Sequence, residues 1–185
     1  MRILLSAVCL LFLSGLQPAP AIYVCRDVNT KLYSEAPIEK IDAVSSKGFS
    51  VFNLTTGEVQ FNIPVRSFVF HKSLMQEHFN ENYMESDKYP NAKFRGKINE
   101  KPDFSKDGEY PVTVTGDLEV HGVKKLRTIS GIIKVINKQV SVSSKFNVLC
   151  RDHGITIPKL VFKNIAENIQ ITVSATYNPY SAPKT

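Results

Sequence analysis

The side chains with the clearest potential for chemistry are Glu77, Glu81 and Glu85, spaced four residues apart beside His78. On a helix that spacing lines the carboxylates along one face, where each pair repels by a few tenths of a kcal/mol. A metal ion could use such a row. Lys or Arg from a neighbouring strand could also meet it, and a solvated stripe is the simplest reading. The four histidines, His71, His78, His121 and His153, are not at ligand spacing. His121 alternates with Asp117 and Glu119 and reads as a surface histidine on the wet face of a strand. No G-x-S-x-G, phosphate-loop or G-x-G-x-x-G motif occurs. These residues therefore give no reason to expect an enzyme, a metal or a cofactor.

The cysteines depend on what happens to the N-terminus. Met1-Arg2, an apolar run from Ile3 to Leu16 and the small-residue exit Gln17-Pro18-Ala19-Pro20-Ala21 read as a cleaved secretory signal. Residues 1–21 are then a signal peptide, 22–178 one domain and 179–185 a mobile C-terminal tail with Pro179 and Pro183. The expected location is periplasmic or secreted. Cleavage removes Cys9 and leaves Cys25 and Cys150, which in an oxidising compartment can form one disulfide. We expect that bond; the alternative is two buried thiols. No later stretch is long and apolar enough for a membrane helix. The net charge is +6, with the basic residues scattered rather than striped, which disfavours nucleic acid. Hydrophobic residues at 43% and charged residues at 22% fit an ordinary globular chain and exclude a disordered or collagen-like one.

The elements that would position these residues are mostly strands. Apolar residues alternate with polar ones at Val59, Phe61, Ile63 and Val65, and again at Val112, Val114, Leu118 and Val120. The pattern returns at Val140, Val142, Phe146 and Val148, and most cleanly at Ile169, Ile171, Val173, Ala175 and Tyr177. Thr55-Thr56-Gly57, Lys106-Asp107-Gly108, Asn137-Lys138 and Asp152-His153-Gly154 are turn signals. Around Pro64 to Ser67 the apolar parity flips, which predicts a bulge or bend. About eight strands are enough to close an antiparallel barrel. One helical segment is expected near residues 73–85. It would start at a capping box of Ser73 and Gln76 and carry Met75, Phe79 and Tyr83 on one inward face.

Three blocks then carry a resemblance. The run from Phe68 to Phe94 contains Leu74-Met75-Gln76-Glu77-His78-Phe79 and ends Asp87-Lys88-Tyr89-Pro90-Asn91-Ala92-Lys93-Phe94. Gly116-Asp117-Leu118 precedes His121-Gly122-Val123, and Phe146 and Val148 precede Asp152, Gly154-Ile155 and Ile157-Pro158. In this order and spacing the chain resembles the YceI-like family of exported bacterial proteins from about Thr30 to Tyr177, most closely a short subtype common in Bacteroidetes. The resemblance implies an all-β, extended, lipocalin-like antiparallel barrel. It also implies an isoprenoid or fatty-acid-like long-chain lipid as ligand, and it admits a homodimer. The inward apolar faces then supply the expected lining: Phe61, Phe68, Phe70, Met75, Phe79, Tyr83, Phe94, Val112, Val114, Phe146, Val148, Ile169 and Ile171. The alternative is an envelope interaction protein, of stress-response or inhibitor type, with a filled core and a functional outer surface.

Overall fold

The computed structural model describes residues 22–35, 40–157 and 167–180. The proposed signal peptide, 1–21, and the tail from 181 lie outside the described residues. Nine strands follow one another: β1 (Ile22–Glu35), β2 (Lys40–Asn53), β3 (Glu58–Pro64), β4 (Val69–Phe70), β5 (Asn91–Ile98), β6 (Gly108–Val120), β7 (Val123–Ile136), β8 (Gln139–Leu149) and β9 (Asn168–Pro179). All pairings are antiparallel, in the order β1-β9-β8-β7-β6-β5-β3-β2, and β2 pairs back onto β1. These eight strands close the expected barrel. The short β4 continues the edge that β3 leaves, pairing Phe70 with Ala43. Outward positions such as Lys31, Gln60, Arg95, Asp117 and Lys145 are polar, the reverse of a membrane-spanning barrel. Among the described residues no helix is long and apolar enough to cross a membrane.

Each inward face is set by alternation, and two strands switch parity midway. In β1 the buried set moves from Tyr23 and Cys25 to Val28, Thr30, Leu32 and Ser34. In β2 it moves from Ala43 and Ser45 to Gly48, Ser50 and Phe52. The register explains both switches: bulges at Arg26–Asp27 and Ser46–Lys47 flank the pair Val28↔Gly48. Gly48 is required there, because a Cβ would collide with Ile63 Cδ1 and come within 2.9 Å of Val28 Cβ.

The barrel has a filled end and an open end. The filled end holds the β2–β3 and β7–β8 hairpins. Phe52 packs edge-on against Phe104 at 5.8 Å and Tyr177 at 5.9 Å, and Phe104 packs against Tyr110 at 5.6 Å. The Tyr177 hydroxyl, fully buried, lies 2.6 Å from Ser50 Oγ, which donates to the Gln60 carbonyl at 2.7 Å. At the open end, the parity change after Pro64 is a turn of 3-10 helix over Val65–Ser67 rather than a bulge. It delivers the chain to β4 and then to helix α1 (Ser73–His78), which widens into one π-turn over Phe79–Tyr83.

Three expectations are corrected by the structure. Cys25 and Cys150 are free, buried thiols, not a disulfide. Cys25 lies at the filled end beside Tyr177, whereas Cys150 follows β8 at the open end. At about 3.4 Å per residue, β8 separates those ends by roughly 34 Å. The capping box does not form: Lys72 is the N-cap, and no side chain caps the helix there. Gln76 instead accepts the Phe70 N–H at 3.3 Å, tying the helix to β4. His121 is not a surface strand residue. It occupies a two-residue hairpin with Gly122 at φ 50° and 74°, and its side chain is 12% exposed. At the start of the tail, Pro179 ends β9 and the Tyr180 N–H donates to the Ile22 carbonyl at 2.8 Å.

Candidate ligand-binding site

The filled end stops at Gly48 and Ile63, and above that level the inward side chains no longer meet. The space left is a cavity of about 470 Å³ that opens at the helix end. Every strand of the barrel except β7 contributes. Phe61 and Ile63 come from β3, Phe94 from β5, Leu118 from β6, Phe146 and Val148 from β8, and Ile169 and Ile171 from β9. Thr30, Leu32 and Ser34 of β1 complete the wall.

The helix closes part of the mouth. Met75, Phe79 and Tyr83 all line the cavity, each half-buried. Phe79 packs on Phe68 at 5.8 Å and Phe70 at 4.9 Å between ring centroids. The π-turn keeps Tyr83 on the inward side: Met84 N–H reaches back to the Phe79 carbonyl, while the Asn80 side chain takes the Gln76 carbonyl. The same turn disperses the glutamate row. Glu77 and Glu81 stay exposed, while Glu85, beyond the turn at φ 41°, meets His121 Nε2 at 2.7 Å.

Eleven of the thirteen residues expected at the lining are there. Val112 and Val114 are not. They line a separate space of about 80 Å³ nearer the filled end, because β6 enters the large cavity only from Leu118 onward. Sequence reasoning missed Thr30, Leu32, Ser34 and Ile41, whose strands carry the two bulges. It also missed Ile155 and Ile157, which lie after β8 outside any strand.

The wall is apolar with few polar atoms. Thr30 Oγ1 is buried and has no hydrogen-bond partner among the described residues. The Cys150 thiol also lines the cavity; burial, with Glu167 nearby, pushes it up to about 11, so it is a protonated and unreactive group. Behind the mouth, His153 is wholly buried and its Nδ1–H donates to the Val123 carbonyl at 3.0 Å. Burial holds its pKa below the ordinary value.

A closed antiparallel barrel, sealed at one end and hollow at the other, is the architecture of the small-ligand-binding β-barrels. The family model for the YceI-like domain matches residues 37–177, and the chain belongs to that family. Among solved structures, a polyisoprenoid binding domain from Saccharophagus degradans implicated in plant cell wall breakdown superposes with a TM-score of 0.73 at 13% identity. It covers 87% of this chain and 99% of its own. Burkholderia cenocepacia BcnA gives 0.69 at 14% identity over 82% and 96%. A Campylobacter jejuni YceI protein gives 0.58 at 15% identity over 98% and 100%. No curated protein matches the sequence.

Proposed function

We propose that this protein is a carrier in the periplasm, or secreted, that holds the apolar tail of an isoprenoid or fatty-acid-like lipid in the barrel. The observation that carries this reading is the apolar cavity of about 470 Å³ open at the helix end. Its size is that of a ligand pocket, and a filled-core interaction protein would have no use for it. Each buried methylene contributes about 0.8 kcal/mol, so ten or more outweigh the cost of ordering the tail. The signal-like N-terminus and the polyisoprenoid-binding relative support the location and the ligand class.

The test is native mass spectrometry of protein purified without added lipid, followed by organic extraction. The carrier reading predicts a mass increment that disappears on extraction and an amphiphile in the extract. A bare mass, together with failure to take up any offered long-chain lipid, would overturn it.

A further inference from the structure

The barrel wall has one interrupted seam. β6 and β7 pair along their full length, from Gly108↔Val135 to Val120↔Val123. β8 and β9 pair from Val140↔Tyr177 to Leu149↔Asn168. Between them, β7 and β8 pair only from Gly131↔Ser144 to Ile136↔Gln139. Above that point Val123–Ser130 and Lys145–Leu149 run without a shared ladder, at the open end of the barrel. Side chains bridge the cleft instead. Ser144 Oγ donates to the Ser130 carbonyl at 2.6 Å, Arg127 to the Asn147 carbonyl at 2.9 Å, and His153 to the Val123 carbonyl.

The unladdered part of β7 carries two cations at inward positions. The β6–β7 register has no shift, so Lys125 and Arg127 share the face of buried Ile129, Ile133 and Val135. Lys125 stands opposite Leu118, a residue of the cavity wall, and across the cleft Phe146 and Val148 line the same cavity. Lys125 is exposed and Arg127 half-buried, so both charges stay in contact with water at the rim of the open end. Neither cation has a carboxylate within ion-pair distance among the described residues. Glu119, on the outward face, is taken by Lys93 and Lys124. Asp152, on the turn above, and Arg127 act on His153 with opposite sign. Arg127 spends one hydrogen bond on the Asn147 carbonyl, and a guanidinium has five N–H donors.

Resting on the carrier reading above, we propose that the β7–β8 cleft is the headgroup site of an anionic amphiphile, whose carboxylate or phosphate is held by Arg127 and Lys125 while its tail fills the cavity. A planar guanidinium beside a flexible ammonium suits either oxyanion.

The test compares hexadecanoate with hexadecanol, and farnesyl phosphate with farnesol, by displacement of the neutral fluorophore N-phenyl-1-naphthylamine. Wild type should bind at least one anion about tenfold to a hundredfold more tightly than its alcohol. The pair showing the larger ratio distinguishes carboxylate from phosphate. In Lys125→Gln/Arg127→Gln, which keeps a donor for Asn147, that ratio should fall to about one with alcohol affinity unchanged. If the double variant does not fold, Lys125→Glu, a change at an exposed side chain, should weaken the anion and spare the alcohol. Equal affinity for acid and alcohol in wild type, or a ratio that survives these substitutions, overturns the headgroup site and leaves the carrier standing. Binding of none of the four overturns both.

Discussion

Thr30 places a hydroxyl in an apolar wall with no partner among the described residues. Such a group costs about 1–3 kcal/mol, so the near-isosteric Thr30→Val should stabilise the ligand-free protein by about 1 kcal/mol. A lower urea midpoint for the variant would show that Thr30 is satisfied in solution. His153 makes a prediction of opposite character. Burial lowers its pKa from 6.5, so the folded chain binds the proton less well than the unfolded one. Its contribution to stability is complete above the unfolded value and is lost as the pH falls through the folded one. Urea midpoints should therefore drop between about pH 7.5 and pH 5, and His153→Gln, which keeps a donor for Val123, should drop less. An identical pH dependence in both proteins would contradict this. These residue-scale features were the least legible in the sequence. His121 alternated with acidic neighbours as a strand residue would, yet it belongs to a hairpin turn and bridges Glu85 and the His153 carbonyl. Nothing local signals either long-range partner.

At the scale of elements, the helical segment acts as a partial lid. Its seat is Phe79, wedged against Phe68 and Phe70. Because Phe79 is only half-buried, Phe79→Ala should cost about 2 kcal/mol, below the 3–5 kcal/mol of a fully buried ring. It should also speed ligand release by removing the contact that holds the lid over the mouth. Unchanged stability and unchanged release together would place the helix outside the lid role. The inward stripe of Met75, Phe79 and Tyr83 was legible from helical spacing, although the segment is one short helix and a π-turn. The strands with unbroken alternation, β6, β8 and β9, were equally plain. β1 and β2 were not, because paired bulges reverse the parity of both and hide a period of two. With that period hidden, the lining residues Thr30, Leu32, Ser34 and Ile41 gave no signal in the sequence.

As a whole, the molecule is one barrel with a packed base and a hollow top. Sequence periodicity predicts a barrel with an apolar inside, but it cannot separate a wall that meets its opposite from one that does not. That distinction arises from Gly48, from the ring cluster of Phe52, Phe104 and Tyr177, and from the lid, none of which alternation encodes. It also decides which substitutions matter. Val114 faces inward yet borders only the small space of about 80 Å³, whereas Ala92, a small side chain, lines the large cavity. The most direct measurement is a titration of a neutral long-chain fluorophore into wild type, Ala92→Trp and Val114→Phe, each checked for folding by circular dichroism. The account predicts one site per chain in wild type, affinity lower by more than about tenfold in Ala92→Trp as the indole occupies the tail's volume, and near-wild-type binding in Val114→Phe. Binding that survives Ala92→Trp and is lost in Val114→Phe would contradict it.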